Sequence, residues 1–131
     1  MATVKISILK KADIAMLRDI QELLAQLRKS GGGDTATMSE LRNVLSDKNT
    51  FMVVAKDSKR IVGMAMLYVT LRIGRRTGQV EDVVVDDAYR GRGLGRGLMK
   101  NLIDVARKKK LKAIYLTSRP ARVAANALYQ K

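Results

Sequence analysis

The chain has 131 residues, 47% of them apolar, and contains neither cysteine nor histidine, which excludes a disordered chain, a disulfide framework and thiol or imidazole chemistry. Its 26 Lys and Arg against 12 Asp and Glu leave a net charge of +14, so the natural partners are anions: nucleic acid, phosphorylated cofactors or acidic substrates. No window approaches the ~18 apolar residues of a membrane span, and the first residues lack a secretory pattern, so one cytoplasmic domain is expected, without membrane association or a structural metal.

Val4, Ile6 and Ile8 alternate with polar residues and predict a strand over 3–9. Asp13 reads as an N-cap, and Ile14, Leu17, Ile20, Leu24 and Leu27 follow at helical spacing to about Arg28. Gly31, Gly32 and Gly33 break the chain as a helix–helix loop. Thr37 and Glu40 have capping-box spacing ahead of a short helix faced by Leu41, Val44 and Leu45. Thr50–Lys56 and Arg60–Arg72 predict a hairpin turned at Asp57-Ser58-Lys59. Gly74 to Gly78 reads as a tight basic connection into a strand over Gln79–Asp86.

Val83, Val84 and Val85 make a β-branched run that stops at Asp86-Asp87, and glycines follow at 91, 93 and 95. A helix then carries Leu94, Leu98, Leu102 and Val105 on one face and ends in the cations Arg107 to Lys110, more a solvated helix end than a docking patch. Lys112–Thr117 predicts a short buried strand. Pro120 sits in the first turn of a last helix that aligns Arg122, Asn126 and Tyr129. Met52, Met64 and Met66 read as core filler.

Strand, glycine loop, helix is the arrangement that holds a diphosphate. Glycine lets the backbone approach closely, and the helix start offers unpaired N–H groups and a positive dipole end. Arg90, Arg92 and Arg96 add charge around it. A P-loop is excluded because no GxxxxGK[ST] occurs, and the dinucleotide fingerprint G-x-G-x-x-G is also absent.

Arg90-Gly91-Arg92-Gly93-Leu94-Gly95 instead resembles the R/Q-x-x-G-x-G/A signature of the GNAT superfamily of N-acetyltransferases. Val80 to Val85 is similar to that family's central strand, and Leu116 to Lys131 to its motif with a recurring Asn and Tyr. The resemblance implies an α+β, three-layer α/β/α fold with a mixed, mostly antiparallel sheet and helices on both faces. It also implies a single domain over 1–131. The family continues past the Tyr with Gly-Phe and two strands, so a domain shortened at its C-terminus, lacking the C-terminal strands, is expected.

The implied chemistry is direct transfer of the acetyl group of acetyl-CoA to a primary amine on a small molecule, peptide or protein, with acetyl-CoA or CoA as cosubstrate and no metal. By resemblance the backbone from Arg90 through Gly91, Arg92, Gly93, Leu94 and Gly95 holds the pyrophosphate, with Arg90, Arg92 and Arg96 bonding its oxygens. The strand Val83, Val84, Val85 lines the pantetheine arm, Asn126 bonds an amide of that arm, and Tyr129 protonates the leaving thiolate. Glu81, placed by strict alternation on one face with Val83 and Val85, is the first choice of general base, with Asp82, on the face of Val84, as the fallback. Competing readings are a basic nucleic-acid-binding module, weakened by only 4% aromatic residues, and a coenzyme-binding module without catalysis. A third is a structural partner whose open sheet edge a second copy completes as a homodimer.

Overall fold

The protein was analysed as a computed structural model that describes residues 3–28 and 36–116. Strand β1 (Val4–Ile8) leads to helices α1 (Ile14–Arg28) and α2 (Met38–Ser46). Strands β2 (Thr50–Asp57), β3 (Arg60–Arg72) and β4 (Arg75–Val85) follow, then helix α3 (Leu94–Lys108) and strand β5 (Ile114–Leu116). The final helix of the sequence reading, with Asn126 and Tyr129, lies outside the described residues, as does the Gly31 to Gly33 loop.

Both early helices start where their side chains can satisfy orphan backbone amides. The Met16 amide donates to Asp13 Oδ1 at 2.8 Å, capping α1. At α2 the box closes in both directions: Glu40 N–H donates to Thr37 Oγ1 at 3.1 Å, and Thr37 N–H donates to Glu40 Oε1 at 2.9 Å.

The sheet runs in the order β1-β2-β3-β4-β5; the first four strands are antiparallel and β5 lies parallel to β4. Period-two alternation sends β2 side chains to opposite cores. Met52 and Val54 join α1 and α2 on one face, while Val53 and Ala55 join α3 on the other. Helix α3 buries Leu98, Met99, Leu102, Val105 and Ala106 against that second face. This is the three-layer α+β arrangement the resemblance implied.

Two local expectations are corrected. Gly74 to Gly78 is not a loop: the turn is confined to Ile73 and Gly74, where Gly74 takes φ +82, and β4 already begins at Arg75. Gly78 is a packing glycine, because a Cβ there would stand 2.8 Å from both Leu67 Cδ1 and Leu111 Cδ1. The Lys112–Thr117 strand is neither that long nor fully buried, since β5 begins at Ile114 and Tyr115 is 49% exposed.

Leu98 is fully buried between α3 and β3, within 3.3 Å of the space above Gly63. Leu98→Ala should cost about 2–5 kcal/mol of unfolding free energy by urea denaturation, from lost transfer energy and the cavity left behind.

Candidate active site

Strand β4 is bent by one extra residue just before its end. Met66 faces Glu81 and Met64 faces Val84, so Ala65 stands opposite both Asp82 and Val83. Asp82 takes the insertion at φ +54, a left-handed conformation that Asp tolerates better than most residues. The bulge overturns the strict alternation expected for Glu81. Directly opposed residues share a face, so Glu81 lies on the α1–α2 side with Met66. Asp82 lines a cleft on that same side, and Val83 and Val85 pack on the α3 side. Both carboxylates therefore lie on one face of the sheet and Val83 and Val85 on the other. Among the described residues, β5 pairs with β4 as far as Val80 opposite Leu116.

The cleft, about 250 Å3, opens between α1, α2 and the sheet. Ile20, Leu24, Met52 and Met66 give it apolar walls; Asp82, Glu40, Tyr68 and Arg28 supply its polar groups. Burial pushes the Tyr68 phenol up to about 12, with the charges of Asp82 and Glu81 adding to it and Arg28 opposing it. The phenol thus keeps its proton at neutral pH and is a hydrogen-bond donor beside the two carboxylates.

Past Val85 the chain makes a short 3-10 turn, Asp87–Tyr89, and then the glycine loop into α3. Gly91 and Gly93 sit at φ +79 and +78, which a side chain would strain. The first turn-closing bond of α3 runs from Gly97 N–H to the Gly93 carbonyl at 3.1 Å. Among the described residues the amides of Gly91, Gly93, Leu94, Gly95 and Arg96 have no acceptor. Gly95 has an ordinary φ, and a Cβ there would meet nothing within 4 Å. Neither backbone geometry nor, among the described residues, internal packing requires glycine at 95, so a small residue there matches a ligand that presses against the backbone. This cradle of free N–H groups at a helix start fits a diphosphate.

Its arginines are not equivalent. Arg90 is drawn to Asp87 at 3.0 Å, and the Arg92 guanidinium lies 4.9 Å from the centre of the Tyr89 ring. Arg96 stands exposed on the first turn of α3.

Sequence reading missed what anchors the loop. Asp86, 7% exposed, receives Gln26 Nε2 at 3.1 Å, the Ala88 amide at 2.9 Å and Arg60 Nη2 at 3.5 Å. Gln26 Oε1 in turn accepts the Asp87 amide at 3.0 Å, so one α1 side chain grips two successive loop residues. The Tyr89 hydroxyl donates to the Asp57 carboxylate, pinning the far end of the turn to the β2–β3 hairpin. The Asx turn at Asp86 had a local signal in the Asp-Asp pair; the Gln26 contact, spanning sixty residues, had none.

With this geometry in place the comparisons are specific. The model of the acetyltransferase (GNAT) family matches residues 17–131. The chain is 30% identical over 117 residues to a glucosamine 6-phosphate N-acetyltransferase of Trypanosoma brucei brucei, a match covering 87% of this chain and 79% of that one. It is 35% identical over 112 residues to N-alpha-acetyltransferase RimI of Mycobacterium tuberculosis, covering 83% and 66%. The crystal structure of a Trypanosoma brucei acetyltransferase superposes with a TM-score of 0.78 at 28% identity, covering 98% and 92%. For glucosamine-6-phosphate N-acetyltransferase of Arabidopsis thaliana the TM-score is 0.80 at 23% identity, covering 98% and 91%, a likeness of fold. The chain belongs to the GNAT acetyltransferase family and is an acetyl-CoA-dependent N-acetyltransferase acting on an amine.

Two tests separate ligand binding from folding. Gly95→Leu should leave thermal stability unchanged or raise it by up to about 1 kcal/mol, while weakening acetyl-CoA binding at least tenfold by calorimetry. For Asp86, burial raises the pKa, but the bond from Gln26, the Ala88 amide and the charges of Arg60 and Arg90 outweigh it and hold the group below the ordinary carboxylate value. A depressed folded-state pKa gives stability that is present above the unfolded value, about 3.9, and lost as pH falls through the folded one. Asp86→Asn should therefore be less stable than the parent chain at pH 7, and the gap should close below roughly pH 4.

Proposed function

We propose that coenzyme lies along Val83, Val84, Val85 and the loop from Arg90 to Arg96, and that the acceptor enters from the α1–α2 cleft, so that the two meet at the bulged end of β4. The observation that carries this reading is the set of loop amides at Gly91 and from Gly93 to Arg96 without acceptors among the described residues, beside a Gly95 whose small size those residues do not require.

Acetyl-CoA supplies an activated thioester; the rest is the work of this chain. The Gly91, Arg92, Gly93, Leu94 and Gly95 amides hold the diphosphate, with Arg96 and Arg92 the more available cations, since Arg90 is shared with Asp87. Because the chain has no cysteine, no acyl-cysteine can form, and the amine attacks directly. Asp82 lines the cleft and Glu81 shares its face, so either carboxylate is placed to take the ammonium proton, Glu81 through water. We retain Glu81 as base with Asp82 as the alternative. Tyr129 is the acid for the leaving thiolate and Asn126 the partner of the pantetheine amides, both on the family pattern alone.

The cleft also bears on the acceptor. A sugar phosphate of the kind named for the trypanosome and plant relatives needs several hydroxyl partners and cations for the phosphate. Among the described residues, Arg28 is the one cation lining this cleft, against two carboxylates and mostly apolar walls. That balance favours a protonated amine carried on an apolar body, such as a peptide N-terminus with an apolar first residue or an arylalkylamine.

An acceptor panel tests this. Peptides with an apolar first residue or arylalkylamines should be acetylated with kcat/KM at least tenfold above glucosamine 6-phosphate or an aminoglycoside; the reverse order overturns the acceptor assignment. Glu81→Gln should lower kcat by about 10²–10⁴ at neutral pH, and if Asp82→Asn does so instead, the base is Asp82. Tyr129→Phe should reduce kcat with coenzyme binding intact.

A further inference from the structure

The end of the sheet remote from the bulge carries a second recess that acetyl transfer does not use. Arg76 lies roughly 20 Å along β4 from Asp82, at about 3.3 Å per residue. The recess, about 350 Å3, has an apolar floor of Phe51, Val69 and Leu71 and a rim of Lys48, Arg76 and Lys109. No carboxylate is among its described lining residues. Arg76 Nη2 donates to the Lys109 carbonyl at 2.6 Å, and the Lys109 ammonium sits 5.4 Å from the Phe51 ring centre, so the rim is held in place. Leu71 is 68% exposed, and Ile73 at the adjoining turn is fully exposed.

Among the described residues, one wall of the recess is an open strand edge. Strand β2 starts at Thr50, opposite Tyr68, and the Val69 amide caps that end by donating to the Asn49 carbonyl at 2.8 Å. Two residues on, Leu71 faces Arg76 in the β3–β4 ladder. The Arg76 carbonyl is turned the other way and accepts the Lys112 amide at 2.9 Å. Leu71 and Arg76 are therefore a non-hydrogen-bonded pair, and the Leu71 N–H and C=O point outward, beyond the end of β2.

We propose that this recess docks an extended acidic peptide segment with alternating apolar residues, added as a short strand along β3 at Leu71. Main-chain bonds come from Leu71, apolar side chains settle on Phe51 and Val69, and the carboxylates meet Lys48, Arg76 and Lys109. Self-pairing of two copies is disfavoured because it sets these cations against their duplicates. Nucleic acid fits less well: among the described residues Phe51 is the one aromatic ring lining the recess, too few to stack successive bases.

Fluorescence anisotropy with a labelled peptide alternating Glu and Leu tests the proposal. Binding should weaken with rising salt and weaken at least tenfold in Lys48→Glu combined with Leu71→Glu. Acetylation of a small amine, and acetyl-CoA binding by calorimetry, should be unchanged in that variant, which also verifies its fold. Should the variant fail to fold, hydrogen exchange on the parent chain decides: bound peptide should protect the Leu71 amide. The proposal is overturned if a Lys–Leu peptide of equal length binds as well, if the double variant binds undiminished, or if an oligonucleotide or anionic vesicles bind more tightly than the peptide with the same sensitivity to the variant.

Discussion

The left-handed bulge at Asp82 is the constraint on which the site depends. A regular strand would alternate its side chains to the end and put Glu81 on the α3 face with the valines. Inserting one residue opposite Ala65 moves Glu81 to the α1–α2 side, where Asp82 lies with Tyr68, and leaves Val83 and Val85 packed on the α3 side. In the proposed arrangement one strand end serves two ligands from its two faces, with carboxylates toward the α1–α2 cleft and the backbone beside the valines running into the glycine loop. An L-residue at φ +54 is held there only because the ladders on either side fix the register.

The bulge sets which face each carboxylate takes; the proposed phosphate grip belongs to the loop after it, whose rigidity is supplied from outside. Free amides attract phosphate only if they already point at it, since ordering them on binding costs conformational entropy. Here the turn before the loop is fixed to α1 through Gln26 and to the β2–β3 hairpin through Arg60 and Asp57. A buried carboxylate with three donors organises that junction, and its charge is tolerated because each oxygen is satisfied.

What sequence made legible was what local chemistry determines. Thr37 with Glu40, Asp13 ahead of Ile14, and the Leu94 to Val105 stripe each carry their structural instruction within a few residues, and the structure follows them. The glycine loop was readable for the same reason, and with it the family. The bulge was not, because it is a disagreement in length between β3 and β4, visible only once the strands pair. The same holds for Gly78, whose role depends on Leu67 and Leu111 rather than on its neighbours, and for Gln26, an unremarkable helix residue until Asp86 arrives beside it.

Helix α1 borders both halves of the site: Ile20, Leu24 and Arg28 wall the acceptor cleft, and Gln26 holds Asp86 and Asp87. Any tilt of this helix when an acceptor settles in the cleft is passed directly to the start of the phosphate loop. Thermodynamic linkage makes such communication reciprocal, so each ligand's affinity bears on the other's by the same factor. In the proposed binding mode a single glutamine thereby gives two substrates on opposite faces of the sheet a mechanical route for sensing each other.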